Sequence, residues 1–233
     1  MAIINGTGGR DLILPGFNSA GGELPTGGAD TINGFAGDDF LDGGGGSDNI
    51  LGGSGADNLL GNSGNDNLQG DRGDDALLGG SGRDTLQGGP GNDTLLGEDG
   101  DDSLNGGSGM DVLVGGPGKD RLEGGADNDT FVFSSVTGSN PLSGNRDFIN
   151  GFQGGGSAVG DKIDLSNIDA IRSGDDDVFT WVTAPSSTPG ELWYSRGILR
   201  GDTDGDGHAD FAIELVGAPP VFVASSLGTD VLL

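Results

Sequence analysis

The 233-residue chain contains no cysteine and a single histidine, His208. Without cysteine, the fold has no disulfide to stabilise it and no thiolate metal site. One histidine cannot supply the His-Glu-x-x-His site of a zinc protease, which needs two histidines one helical turn apart. The Gly-x-Ser-x-Gly segment that presents a hydrolase serine is also missing. We therefore expect no enzymatic activity from this chain.

Positive charge and long apolar runs are scarce as well. Ten Lys and Arg face 37 Asp and Glu, which gives a formal net charge of −27. This balance argues against binding to nucleic acid or to an anionic membrane surface. No segment is apolar enough to span a bilayer, and Met1–Gly6 does not begin a secretory leader. If the protein is exported, we expect its export signal to lie elsewhere in the chain.

Glycine is abundant, with 52 residues, and it is arranged with aspartate in a nine-residue repeat. The unit is Gly-x-x-Gly-x-Asp-x-apolar-x, with glycine first in every unit from Gly34 onward. Twelve aspartates follow one another at intervals of nine residues: Asp30, Asp39, Asp48, Asp57, Asp66, Asp75, Asp84, Asp93, Asp102, Asp111, Asp120 and Asp129. A large apolar residue stands two positions after each, from Ile32 to Phe131. A register this strict indicates a repeat protein rather than a flexible linker.

Each unit predicts a turn followed by a short strand. Glycine weakens helices and strands but permits tight turns with positive φ. The last three residues alternate outward, inward and outward, so that only the eighth residue is buried. The ninth residue is apolar in alternate units: Leu60, Leu78, Leu96, Val114 and Val132. Two units therefore form one coil of eighteen residues, with one strand in each of two parallel sheets.

The predicted coil needs a cation to be stable. One buried apolar residue in nine gives a thin core, against an ordering cost of about 1–2 kcal/mol per residue. Stacked coils also bring aspartates together along each edge, where they repel one another. Carboxylate and carbonyl oxygens, without thiols or imidazoles, suit Ca²⁺ better than Mg²⁺, which keeps its waters. The twelve aspartates are therefore the predicted metal ligands.

Residues 34–132 resemble the calcium-binding nonapeptide repeat of RTX proteins. The resemblance implies an all-β fold, a parallel β-roll over residues 25–132, with ions between successive turns. Five gaps on each edge give on the order of ten Ca²⁺ ions. It also implies lower-ranked ligands, the backbone carbonyls of the fourth-position glycines: Gly37, Gly46, Gly55, Gly64, Gly73, Gly82, Gly91, Gly100, Gly109 and Gly118. Folding and calcium binding would then be one event.

The flanking segments differ from the repeats. In residues 1–24, the stretch from Gly6 to Ile13 is similar to one repeat but one residue out of phase, and we interpret this segment as an N-terminal cap. Whether Asp11 adds a calcium site stays open. Residues 133–233 contain less glycine and several alternating apolar runs, which predict a small, mostly-β C-terminal cap.

Three sequence segments are similar to the C-terminal domain of serralysin-type secreted metalloproteases: 124–133 (GGADNDTFVF), 161–166 (DKIDLS) and 208–213 (HADFAI). The resemblance implies that this region caps the roll and carries an uncleaved signal for the type I secretion machinery, without the protease domain. The candidate signal is Asp230, Val231, Leu232 and Leu233, an acid followed by three apolar residues. An ordinary edge strand is the alternative interpretation of these four residues.

Residues Asp202 to Asp210 are similar to the start of an EF-hand calcium loop. The twelfth position of that loop would be Ile213, where a bidentate glutamate is required, and the flanking residues alternate as in strands. We favour a tight acidic turn between strands, and a calcium site in this turn is the alternative.

Two functions fit these observations. The first is a non-enzymatic, secreted calcium-binding protein that is exported unfolded and folds in extracellular calcium. The second is the C-terminal targeting and stabilising module of a larger secreted enzyme, metalloprotease-like or lipase-like. Ice binding is a weaker third option, because the outward seventh positions are mixed rather than a regular row of threonines: Asn58, Ala76, Thr94, Val112 and Thr130.

The apolar ninth residues add a prediction about partners. Leu60, Leu78, Leu96 and Val114 should lie in line on the outer face of one sheet. A contiguous apolar row is unfavourable in water and usually marks an interface. We expect the C-terminal segment or a protein partner to cover it, and isolated leucines that border the sheet are the alternative.

Overall fold

The structure is a computed structural model that describes residues 3–7, 9–14, 17–18, 24–135, 146–153, 160–168, 180–182, 184–217 and 231–232. All regular secondary structure within these ranges is β-strand. No helix among the described residues is long and apolar enough to cross a membrane.

The strands fall into two groups, one in the N-terminal and repeat region and one in the C-terminal region. The first group is β1 (Ile3–Asn5), β2 (Leu12–Leu14), β3 (Phe17–Asn18), β4 (Thr31–Ala36), β5 (Phe40–Asp42), β6 (Asn49–Ser54), β7 (Asn58–Ser63), β8 (Asn67–Arg72), β9 (Ala76–Ser81), β10 (Thr85–Pro90), β11 (Thr94–Asp99), β12 (Ser103–Ser108), β13 (Val112–Val114), β14 (Arg121–Ala126) and β15 (Thr130–Val132). The second group is β16 (Asp147–Asn150), β17 (Lys162–Asp164), β18 (Thr180–Trp181), β19 (Glu191–Ser195), β20 (Ile198–Asp202), β21 (Phe211–Val216) and β22 (Val231–Leu232).

Successive repeat strands alternate between two parallel sheets. Sheet A has the order β1-β4-β6-β8-β10-β12-β14-β16-β21-β20-β19-β18, and sheet B has the order β22-β17-β15-β13-β11-β9-β7-β5-β2-β3. Pairing joins residues eighteen apart, as Leu68 with Leu86 and Leu86 with Leu104. The structure thus confirms the predicted β-roll with two nonapeptides in each coil.

The eighth residues of the repeats form the core between the two sheets. From Ile32 to Phe131 they are 0–1% exposed. Ile4 and Ile13 extend this core at the N-terminal end, and Ile149 and Ile163 extend it at the C-terminal end. A single column of apolar side chains therefore runs through the repeats and into both flanking segments.

The C-terminal region continues the roll before its topology changes. β16 pairs in parallel with β14, and β17 pairs in parallel with β15. Beyond them, β21 is parallel to β16, whereas β20 is antiparallel to both β21 and β19. The mostly-β cap predicted for this region is confirmed for the residues that the structure describes.

The apolar ninth residues lie in line on the outer face of sheet B, as predicted. Leu60 pairs with Leu78, Leu78 with Leu96, and Leu96 with Val114. Each side chain is half-buried, because in-register neighbours about 4.8 Å apart shield one another. Coverage of this row by a partner or by the C-terminal segment stays a prediction.

Coil stacking explains why the fourth position is glycine. Gly82 has φ +137°, a conformation that side chains with a Cβ rarely adopt, and a Cβ there would lie 1.5 Å from the carbonyl oxygen of Gly64. Gly28 holds the same position in the first repeat, where no earlier repeat coil lies against it. The nearest atom to a Cβ on Gly28 would be Thr26 Oγ1, at 3.7 Å.

We predict that Gly82→Ala strongly destabilises the roll and that Gly28→Ala does not. Strain and the steric conflict with Gly64 should lower the free energy of unfolding by at least about 1–3 kcal/mol for Gly82→Ala. Gly28→Ala should change it by less than about 0.5 kcal/mol. Urea unfolding in saturating calcium, followed by circular dichroism, measures both. Equal unfolding midpoints for the two variants would contradict the stacking explanation.

Candidate metal centre

All twelve predicted aspartates lie in two buried ladders, one along each edge of the roll. The ladder that precedes the strands of sheet A contains Asp30, Asp48, Asp66, Asp84, Asp102 and Asp120. The ladder that precedes the strands of sheet B contains Asp39, Asp57, Asp75, Asp93, Asp111 and Asp129. Each side chain is 0–3% exposed. The eighteen-residue coil therefore stacks like charges directly above one another.

From Asp39 onward, one carboxylate oxygen of each aspartate is held by the preceding coil. Asp66 Oδ1 accepts a hydrogen bond from the backbone N–H of Asp48 at 2.7 Å, and Asp84 Oδ1 accepts from Asp66 N–H at 2.7 Å. The same contact links the other successive repeat aspartates at 2.7–3.0 Å. This hydrogen bond sets the orientation of the carboxylate between the stacked coils.

The second carboxylate oxygen has no hydrogen-bond donor in eleven of the twelve aspartates. These buried Oδ2 atoms belong to Asp39, Asp48, Asp57, Asp66, Asp75, Asp84, Asp93, Asp102, Asp111, Asp120 and Asp129. A buried anionic oxygen without a partner is strongly unfavourable, so such atoms are paired or bind metal in stable proteins. The arrangement therefore calls for cations along both ladders.

The oxygen atoms around each Oδ2 fit calcium. If Gly61 carried a Cβ, that atom would lie 2.5 Å from Asp66 Oδ2 and 2.6 Å from the carbonyl oxygen of Gly79, one coil later. Glycine at the first position thus leaves open a space where a carboxylate and a carbonyl from two coils converge. Oxygen donors of this kind suit Ca²⁺, which takes six to eight oxygen ligands. The residues present therefore fit the cation that the sequence predicts.

Sequence reasoning did not single out the carbonyls that border these open spaces together with the Oδ2 atoms. They belong to first-position glycines of the next coil: Gly52, Gly79, Gly88, Gly97, Gly106 and Gly115. The predicted fourth-position carbonyls instead face the fourth-position glycine of the next coil, as Gly64 O faces Gly82. Their role as ligands stays a prediction. Nothing in the pattern distinguishes the two glycines, because both are nearly invariant along the array.

Burial raises the pKa of the repeat aspartates from Asp39 to Asp129. It raises the pKa of Asp120 to about 8, although a backbone N–H from Asp102 opposes the shift and neighbouring carboxylates add to it. For the same main reason the pKa values of Asp75 and Asp102 rise to about 7, and those of Asp39 and Asp48 to about 6. A cation beside these carboxylates would oppose the shift by favouring the charged form.

At the start of each ladder, a threonine donates hydrogen bonds to Oδ2 of the first aspartate. Thr7 donates from its backbone N–H and its hydroxyl to Asp11 Oδ2, at 2.5 and 2.9 Å. Thr26 does the same to Asp30 Oδ2, at 2.7 and 2.9 Å. Asp11 belongs to the ladder, because its N–H donates to Asp39 Oδ1 at 2.6 Å. Whether Asp11 binds calcium stays open.

The acidic segment that is similar to an EF-hand loop forms a turn between β20 and β21, as favoured from the sequence. Carboxylate oxygens of Asp202, Asp204 and Asp210 lie within 4.8 Å of one another. Asp202 is buried, with Oδ1 accepting from Gly205 N–H at 2.6 Å and Oδ2 from Gly207 N–H at 2.9 Å. These bonds account for Asp202 as a turn residue, and a metal site here stays an alternative.

The candidate export signal falls only partly on described residues. Val231 and Leu232 form β22, which pairs in parallel with β17 at the edge of sheet B. Asp230 and Leu233 lie outside the described residues. The role of the four residues in export stays a prediction.

Comparison with known proteins identifies the repeats. A family model for the RTX calcium-binding nonapeptide repeat matches in four copies, at residues 26–50, 51–86, 78–113 and 105–135. No curated protein matches the sequence. Among solved structures, the chain is similar to the solution structure of the AlgE6R3 subunit of the mannuronan C5-epimerase from Azotobacter vinelandii. The two are 26% identical over 70% of this chain and 80% of that chain, with a TM-score of 0.31. Residues 26–135 of this chain are RTX calcium-binding nonapeptide repeats, folded as a parallel β-roll.

Proposed function

We propose that the protein is a non-enzymatic calcium-binding protein whose β-roll folds when Ca²⁺ binds. The observation that carries this proposal is the set of eleven buried Oδ2 atoms without a donor. They sit in ladders of like charge, in a chain whose formal net charge is −27. The compact form therefore concentrates the charges that most oppose it, unless cations bind there.

Calcium would supply positive charge and oxygen coordination between stacked coils. The chain supplies the rest: hydrogen bonds from the preceding coil orient each carboxylate, and first-position glycines leave the space for a ligand. Because aspartates from successive coils become neighbours only after folding, the free energy of calcium binding contributes to the free energy of folding. About ten ions, each with charge +2, would offset most of the net charge.

The same coupling suits a protein that is secreted and acts outside the cell. Where free calcium is scarce, a highly acidic chain with a thin core stays unfolded, as passage through a type I secretion channel requires. The resemblance of the C-terminal region to serralysin-type secretion domains supports this route, with Asp230–Leu233 as the candidate signal. Extracellular calcium would then complete folding after export.

Calcium titration tests the proposal directly. At neutral pH in excess chelator, the circular dichroism spectrum should be that of a disordered chain, and calcium should produce a β-sheet spectrum. Magnesium at the same concentration should produce much less, because Mg²⁺ keeps its waters. Sodium chloride at matched ionic strength controls for simple charge screening. A complete β-sheet spectrum in excess chelator would overturn the proposal.

Asp84→Asn should weaken calcium-driven folding, whereas Asp74→Asn should not. Asparagine at position 84 can still accept the hydrogen bond from Asp66 N–H but loses the charge beside the buried Oδ2. The calcium midpoint of folding should rise on the order of tenfold. Asp74 is exposed, and its Oδ1 accepts from Asn92 N–H at 2.8 Å. Asn65 already makes the equivalent bond to Arg83 N–H, so the midpoint of Asp74→Asn should match that of the unmodified chain.

Protons should compete with calcium. In the folded chain the pKa of Asp39 rises from 3.8 to about 6 and that of Asp120 to about 8, mainly because burial disfavours the charged form. Such groups stabilise the calcium-free fold fully below about pH 4, and this contribution is lost as pH rises through about 6–8. In chelator, β-sheet content should therefore fall as pH rises through this window. In calcium, the apparent affinity should instead increase over the same window, because the binding carboxylates lose their protons. Titrations at about pH 5.5, 7 and 8.5, which bracket this window, measure both effects, and an affinity independent of pH would contradict them.

A further inference from the structure

The two aspartate ladders continue beyond the repeats. The backbone N–H of Asp120 donates to Asp147 Oδ1 at 2.8 Å, and that of Asp129 donates to Asp161 Oδ1 at 3.2 Å. These contacts are the ones that link aspartates within the repeats, but they span 27 and 32 residues instead of 18. Asp147 and Asp161 are only 1% and 2% exposed. Each therefore occupies the next rung of a ladder, although both lie outside the nonapeptide array.

Within the repeats, the two oxygens of each aspartate face different coils. Oδ1 accepts from the coil before. Oδ2 borders an open space that a glycine carbonyl of the coil after also borders in six repeats, those of Asp39, Asp66, Asp75, Asp84, Asp93 and Asp102. At Gly97, for example, a Cβ would lie 2.5 Å from Asp102 Oδ2 and 2.5 Å from Gly115 O, one coil later. A site built on Oδ2 therefore needs the following coil to complete it.

For the last two repeat aspartates, the following coil belongs to the C-terminal region. Asp120 and Asp129 are 0% and 1% exposed, and their Oδ2 atoms are buried without a donor. The strands that stack onto β14 and β15 are β16 and β17. Those strands bring Asp147 and Asp161 to the positions that a repeat aspartate would hold.

The outermost aspartates of the ladders receive hydrogen bonds at Oδ2. At the N-terminal ends, Thr7 and Thr26 donate to the Oδ2 atoms of Asp11 and Asp30. At the C-terminal end of the second ladder, the backbone N–H of Gln153 donates to Asp161 Oδ2 at 2.7 Å. No such donor reaches Oδ2 of Asp120 or Asp129 from the described residues. The junction with the C-terminal region thus contains buried carboxylate oxygens without a hydrogen-bond donor, as the interior of the roll does, and a cation there would stabilise them.

We propose that Asp147 and Asp161 are calcium ligands that complete the last site of each ladder, together with Asp120 and Asp129 respectively. Calcium at these two sites fastens the C-terminal strands to the roll, so that the C-terminal region folds only on a calcium-loaded template. This inference rests on the proposed calcium-dependent folding of the repeats and extends it to residues that the repeat pattern does not include.

The positions of the two tryptophans allow a direct test in the full chain. Trp181 and Trp193 both lie in the C-terminal region, so that tryptophan fluorescence reports on that region, while circular dichroism is dominated by the longer roll. The test variant is Asp147→Asn with Asp161→Asn, which keeps side-chain size and a hydrogen-bond acceptor but removes both charges. The control is Asp164→Asn, on β17 but only partly buried, with Oδ1 accepting from Ser166 N–H at 2.9 Å.

The expected result separates the two signals. In the double variant, the calcium midpoint of the fluorescence change should rise on the order of tenfold, while that of the circular dichroism change shifts by less than about twofold. Equilibrium dialysis with metal analysis should show about two fewer bound calcium ions per chain. The Asp164→Asn control should match the unmodified chain in all three measurements.

Other outcomes distinguish this inference from the proposed function. If the double variant binds as much calcium as the unmodified chain, with an unshifted fluorescence midpoint, Asp147 and Asp161 are not ligands, although the roll still is a calcium protein. If the unmodified chain binds no calcium, the proposed function itself fails. Should the double variant lose the roll transition as well, each single variant decides: loss of about one ion with the roll intact supports the inference, and an unchanged ion count overturns it.

Discussion

The constraint on which the rest of the structure depends is a carboxylate buried between two coils. From Asp39 onward, each repeat aspartate uses Oδ1 to accept a hydrogen bond from the coil before it, which leaves Oδ2 free to face the open space at the next coil. The carboxylate is thus a link between three successive coils rather than a local turn residue. Because the link repeats every eighteen residues on each edge, it sets the coil length, the stacking distance and the need for positive charge together.

The thin core follows from the same constraint. One apolar side chain in nine, in a column from Ile32 to Phe131, is all that lies between the sheets. A globular domain of this length would bury a much larger share of its apolar surface. Here the coils would instead be stabilised at their edges, where cations coordinated by carboxylates take the place of a large buried apolar surface. Stability is then a sum of contacts between neighbouring coils, as expected for a solenoid.

Much of this arrangement could be predicted from the sequence, because contacts that recur at a fixed spacing produce a periodic pattern of residue types. The nine-residue aspartate spacing and the alternation of Leu60 with Gln69 together gave two sheets, the eighteen-residue coil and the twelve ladder aspartates. The contributions of Asp147 and Asp161 were missed, because the connections before them have other lengths and break the register. A local signal was present nonetheless: each is followed two residues later by an isoleucine, Ile149 and Ile163, as in the repeat. Carbonyl directions were not predictable either, since they depend on which glycine of the turn faces the next coil.

The positions that vary within the repeat show how closely stacking controls the sequence. The second residue of the unit has positive φ even where it is not glycine, as at Asn62, Asp71 and Glu98. Each of these three residues has glycine eighteen residues before it and eighteen residues after it. The coils stack closely here: a Cβ on Gly80 would lie 2.0 Å from the backbone carbonyl oxygen of Asn62, and one on Gly107 would lie 2.2 Å from that of Gly89. No two successive coils of the repeats carry a side chain at this position. The repeat is consequently constrained along the stack as well as along the chain, and a consensus of single units does not capture that second constraint.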